Sequence, residues 1–173
     1  MRTRSMVGLA AAGAGIALLS GVAQAGVGPG ASSGLPLPRY VSLKSDHVNV
    51  RAGPTKDNDV AWIYTRSGLP VEVTAEFENW RRVRDAEGSE GWVYHSLLSG
   101  KRTAVVTMKV KDDLAMLRDR PDGDSGIAAK LQSGVVAQVK KCTAGWCRIV
   151  GKGFDGWIEQ QRLWGVYADE KVN

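Results

Sequence analysis

Histidine and cysteine, the side chains most often recruited for chemistry, are scarce in this chain, with two of each among 173 residues. His47 sits in Asp46-His47-Val48 at the start of one apolar run, and His95 follows Trp92-Val93-Tyr94 at the end of another. Both read as exposed turn residues. A Cys–His hydrolase needs a reactive free thiolate. A serine hydrolase of the elbow type needs Gly-x-Ser-x-Gly on a strained turn from strand to helix; Gly30-Ala-Ser-Ser-Gly34 has the spacing but lies in a Gly/Pro/Ser-rich stretch, and no such elbow appears. Asp112-Asp113 and the Glu87/Glu90 pair lie in turn-like segments and read as solvated carboxylates. Gly151-Lys152-Gly153 has none of the rest of a phosphate-binding loop. Metal-ligand clusters are missing. The sequence therefore assigns no catalytic residue, no metal and no cofactor, and an envelope hydrolase is its least favoured reading.

Long apolar runs are equally scarce. Val7–Val22 is uncharged, follows Arg2 and Arg4, and precedes Ala23-Gln24-Ala25. A basic start, a short apolar stretch and a small-x-small site describe a secretory signal peptide over residues 1–25, cut between Ala25 and Gly26. The run is shorter than the ~20 residues of a spanning helix, and no later one replaces it. The expected mature chain is thus exported, periplasmic or extracellular, without a membrane span. Charge of one sign is not in excess either. Beyond residue 25 there remain 21 basic and 18 acidic residues, a net +3. That is too little to argue for nucleic acid and compatible with mild attraction to carboxylate-bearing wall polymers.

The two cysteines stand close together in Cys142-Thr-Ala-Gly-Trp-Cys147. In an oxidising compartment a structural disulfide is expected across a short turn, ahead of free thiols or of redox chemistry, which more typically uses Cys-x-x-Cys.

What the chain does have is repetition. Residues 26–38 are rich in Gly, Pro and Ser and read as an extended, mobile linker. From Arg39 onward, short β-rich runs alternate with Gly, Asn, Asp and Pro turns, and no amphipathic helical period lasts three turns. Val48-Asn-Val-Arg-Ala-Gly-Pro54 answers Ala115-Met-Leu-Arg-Asp-Arg-Pro121. Asn79-Trp80-Arg-Arg-Val83 answers Gly145-Trp146-Cys-Arg-Ile149, and Gly91-Trp92-Val93 answers Gly156-Trp157-Ile158. The offset drifts from 67 to 65 residues, as two single deletions in turns would cause. The chain divides into repeat 1 (39–103) and repeat 2 (104–173), each with five short strands and a single closing helical turn. The alternating stretch Thr103–Lys111 has three options: closing the first repeat, opening the second, or pairing both.

The Val48–Pro54 opening, the Glu90-Gly91-Trp92-Val93 strand and the short turn after it resemble the bacterial SH3-like (SH3b) domain, and the whole of Tyr40–Tyr167 is similar to exported tandem proteins of that family. Repeat 2 departs from the pattern at Asp119-Arg120. The resemblance implies an all-β fold, two tandem small β-barrels. It also implies a non-catalytic role in binding cell-wall peptide or glycan, or an envelope protein.

Aromatics make up only 7% of the chain, yet six of the twelve are Trp. Trp80 and Trp146, repeated, read first as packing residues. Trp62, Tyr64, Trp92, Tyr94, Trp157, Trp164 and Tyr167 are the candidates for an aromatic shelf suited to a sugar ring or an extended peptide. Arg51 and Arg82 are the candidates to hold carboxylates by forked hydrogen bonds, while Arg81 and Arg84 read as plain surface residues. The leading expectation is an envelope module for peptidoglycan or a wall-associated peptide. The alternative is a protein–protein adaptor using an exposed β-edge or the face between repeats.

Overall fold

The computed structural model describes residues 28–29, 32–108 and 113–173. The expected signal peptide and its cut at Ala25/Gly26 lie outside these residues. A two-stranded ribbon pairs β1 (Gly28–Pro29) with β2 (Pro36–Leu37). The first repeat then builds β3 (Arg39–Leu43), β4 (Val48–Arg51), β5 (Val60–Tyr64), β6 (Pro70–Phe77), β7 (Trp80–Arg84), β8 (Glu90–Tyr94) and β9 (Leu98–Ser99). The second builds β10 (Thr103–Val106), β11 (Ala115–Arg118), β12 (Ile127–Leu131), β13 (Val136–Thr143), β14 (Trp146–Gly151), β15 (Phe154–Glu159) and β16 (Leu163–Trp164). A single 3-10 turn, His95–Leu97 or Gln160–Arg162, precedes the last strand of each.

The two seven-stranded antiparallel sheets have one topology, β5-β4-β8-β7-β6-β3-β9 and β12-β11-β15-β14-β13-β10-β16. Even their irregularities coincide. Bulges fall at Val50/Arg51 and Leu117/Arg118, and again at Val73/Ala75 and Val139/Lys141. A bulge bends its strand and increases the local twist, so equivalent bulges curve both sheets around a core at the same places.

Period-two alternation supplies that core. Val48 and Val50, Val71 and Val73, Val83 and Val93 are sealed in the first repeat, and Ala115, Leu117, Ala137, Val139, Ile149 and Ile158 stand in their places in the second. The glycine of each Gly-Trp-Val/Ile motif is fixed by close approach. A Cβ on Gly91 would meet Val50 Cγ1 at 2.4 Å, and one on Gly156 would meet the Arg118 carbonyl oxygen at 2.7 Å.

Strand β10 settles the fate of the alternating stretch: it pairs with β13 and β16 and so opens the second repeat. The strand ends at Val106, and Lys109–Lys111 of the expected run lie outside the described residues. The segment expected to be a mobile linker is instead held from Ser32 onward. The backbone N–H groups of Ser32 and Ser33 and the Ser33 hydroxyl donate to the Glu76 carboxylate at 3.2, 2.8 and 2.6 Å. The linker composition left no apolar anchor to read, and the anchor is polar.

Candidate functional site

Where the first loop of repeat 1 faces its closing turn, the surface opens into a groove of about 170 Å³. Strand β4 contributes Asn49 and Arg51, the following loop Lys56, the start of β7 Trp80, the end of β8 Tyr94, and the 3-10 turn Leu97. Five elements thus meet at one spot because β4, β8 and β7 are neighbours in the sheet. Trp80 and Tyr94 pair across the β7–β8 ladder and stack edge to face, ring centroids 5.4 Å apart at 83°. They give an apolar floor. Arg51 stands beside it, with one terminal nitrogen donating to the Asn58 carbonyl at 2.6 Å. Arg118 repeats that contact on the Ser125 carbonyl at 2.8 Å. The repeated arginine therefore has a structural duty, pinning its loop, and its remaining N–H groups are what it can offer a ligand. Lys56 is exposed and adds a second positive charge.

The other residues expected in the site are dispersed. Trp62 and Tyr64 stack on each other at 6.1 Å and pack against the first core. The Tyr64 hydroxyl donates to Asp85 at 2.9 Å; burial, and then this bond, push its pKa well above the usual phenol range. Trp92 and Trp157 lie opposite Arg51 and Arg118 in their ladders, half-buried. Arg82 is exposed and ion-paired with Glu90 at 2.5 Å. Trp164 and Tyr167 sit between the two repeats, where Tyr40 contacts both rings at centroid distances of 5.3 and 4.6 Å. The face between repeats is thus filled by the chain's own aromatics.

Arg81 and Arg84 are not plain surface residues. Alternation along β7 puts Arg81 on the face of Val83, where it is buried, 3.2 Å from Glu76, and donates to the Glu78 and Trp80 carbonyls. Arg84 is spent on the buried Glu72. The sequence reading missed Trp80, Asn49, Lys56 and Leu97 as site residues. Trp80 was read as packing because it recurs in both repeats; it does both jobs, 8% exposed and still lining the groove.

The cysteines form the expected bridge, directly opposite each other on β13 and β14. Neither thiol is free. Among the described residues no helix is long and apolar enough to cross a membrane.

A family model described as "Bacterial SH3 domain" matches the chain twice, over residues 44–100 and 111–165. No functionally curated protein matches it. Two solved structures show partial likeness. NlpC2 from Trichomonas vaginalis is 15% identical, with a TM-score of 0.33 over 73% of this chain and 48% of its own. NlpC1 from the same organism is 17% identical, with a TM-score of 0.32 over 78% of this chain and 48% of its own. The chain thus spans about half the length of either, and the likeness is too distant to carry an argument about activity.

Proposed function

The chain belongs to the bacterial SH3 domain family, and from that premise we propose that it is a non-catalytic, exported envelope module that binds peptidoglycan or a wall-associated peptide through the groove of its first repeat. The observation that carries the reading is the composition of that groove: a Trp80–Tyr94 floor beside Arg51 and Lys56. An aromatic floor takes the apolar face of a sugar ring or the flank of an extended peptide. Cations at the rim take the carboxylates such polymers carry. Both cysteines are committed to a disulfide and both histidines are exposed, which supports a binding role over hydrolysis.

Retention on purified peptidoglycan tests the proposal. The protein should be held above a charge-matched exported control. Tyr94→Ala and Lys56→Glu should each weaken retention by about tenfold, the size of one lost stacking or charge-assisted contact. Retention equal to the control overturns the reading.

The adaptor reading keeps one specific support. The outermost strands β5 and β12 expose Val60, Ile63 and Ile127, apolar side chains on edges that could accept a partner strand. In-cell crosslinking that recovers one protein and no wall material would favour it.

A further inference from the structure

The second repeat carries a larger cleft of opposite chemistry. It measures about 490 Å³ and lies between the Ala144-Gly145 turn, the 3-10 turn and the C-terminal tail. Trp146 and Leu163 supply its apolar wall, and Glu159, Gln160, Gln161 and Asp169 its polar one. Neither Lys nor Arg is among the lining residues.

Gln160 is 95% buried by the complement of its 5% exposure. Its Nε2 donates to the Tyr167 and Glu170 carbonyls at 2.6 and 3.0 Å, which fastens the tail. Its Oε1 takes no hydrogen bond from the described residues and is not among the sealed polar atoms, so it is an acceptor open to solvent in a side chain that lines the cleft. Glu159 is ionised: the Arg162 hydrogen bond, 2.7 Å on Oε2, holds it below the usual carboxylate range. Its other oxygen has no partner among the described residues. Asp169 is exposed and likewise unpaired there. The positions of repeat 1 equivalent to Glu159, Gln160 and Gln161 are Tyr94, His95 and Ser96, so the Glu159 carboxylate belongs to the second repeat alone.

We infer that this cleft is a second binding site, one for an aliphatic primary ammonium group carried on a peptide. An ammonium brings three donors and one positive charge and no acceptor. Open acceptors on Gln160, Glu159 and Asp169 answer the donors, the two carboxylates answer the charge, and the half-buried Trp146 gives an apolar wall for the adjoining carbon chain. A carboxylate or phosphate would face the carboxylates of Glu159 and Asp169 with no Lys or Arg on the lining, the nearby Arg162 being paired with Glu159. None of these residues lines the groove of repeat 1, so the inference stands or falls apart from the proposed function.

The test uses the full exported chain and amide NMR shifts. One probe is Nα-acetyl-lysine N-methylamide, which presents a side-chain ammonium; the other is alanyl-alanine amide, which presents an α-ammonium. At least one should move the Ala144–Trp146 and Glu159–Gln161 amides with millimolar affinity, and the tighter of the two identifies the source of the amine. Acetylating the lysine Nε should weaken that probe about tenfold or more, as loss of a charged donor does. Asp169→Asn and Glu159→Gln should each weaken binding, and Asp57→Asn, in an exposed loop of repeat 1, should not. Asp169 is exposed and outside the core, so its variant tests the site without risk to the fold. No shifts with either probe, equal binding of the acetylated probe, or unchanged binding by the Asp169→Asn/Glu159→Gln double variant overturns the inference.

Discussion

Glu76 has a side chain with no exposed surface, and four residues converge on it: Ser32, Ser33, Arg39 at 2.7 Å and Arg81 at 3.2 Å. Burial works against its ionisation, but the Ser33 and Arg39 hydrogen bonds outweigh it and hold the carboxyl at about 2, from an ordinary 4.5. The folded pKa lies below the unfolded one, so the stabilisation is complete above about pH 4.5 and is lost as pH falls toward 2. Glu76→Gln should therefore cost on the order of 2 kcal/mol at neutral pH. Its stability should also change less between pH 4.5 and 2 than the parent's, measured by denaturant midpoints across that window. Equal slopes would show that Glu76 is not the titrating anchor. None of this was legible in the sequence. Ser33 and Glu76 are 43 residues apart, and a Ser in a Gly/Pro-rich stretch carries no periodic signal. Arg81 was misread because a charged side chain at the end of a strand looks solvent-bound until its buried carboxylate is known.

At the scale of the hairpin, Glu76 and Arg81 face each other on β6 and β7 as Cys142 and Cys147 do on β13 and β14. One repeat closes this position with an ion pair, the other with a covalent bond. Each also uses it to tie down a flanking segment. The N-terminal stretch hangs on Glu76; the C-terminal tail pairs Val172 with Cys142 through backbone hydrogen bonds of 2.8 and 3.3 Å. The loop closed by the disulfide is short, separation 5, so chain entropy favours it by only about 2 kcal/mol. Reduction should lower the unfolding free energy read from denaturant melts by that amount, about 2 kcal/mol, and leave the protein folded. Wholesale unfolding on reduction would mean that the core of repeat 2 is weaker than its packing implies. Strands and hairpins such as these were legible from alternation, Gly and Asn turns and the repeat itself. The groove was not, because it assembles Asn49, Lys56, Trp80 and Leu97 from four separate segments, and only sheet order brings them together. Trp80 was obscured by its own recurrence, which reports packing whether or not one edge is open.

For the molecule as a whole, the joint between repeats decides whether groove and cleft are presented at a fixed spacing. Its centre is Glu72, 2% exposed, which takes hydrogen bonds from Arg84 of its own repeat and from the Tyr167 hydroxyl of the other repeat at 2.9 Å. Burial and then the Glu72 hydrogen bond push the Tyr167 pKa far up; burial and then the Glu72 charge push that of Tyr40 up to about 12. Both phenols stay protonated through the physiological range, so the donor to Glu72 does not titrate away. Arg102 adds a two-pronged bond to Glu170 and one to the Gly165 carbonyl, and Arg66 reaches the Gly134 carbonyl at 3.0 Å. Gly165 is wedged so tightly that a Cβ would lie 2.5 Å from the Thr103 carbonyl and 3.1 Å from Pro70. A joint this specific should couple the repeats in unfolding. Calorimetry of the parent should give one transition, and Tyr167→Ala with Trp164→Ala should split it in two. Two transitions in the parent would show that the repeats are independent beads. Coupling has a consequence for binding. With the spacing fixed, a peptide that reaches both groove and cleft meets its second site at high effective concentration and needs no further ordering of the protein. The same double variant, whose altered side chains line neither the groove nor the cleft, should then weaken a ligand bearing both a carboxylate and an ammonium more than it weakens the single-ended probes.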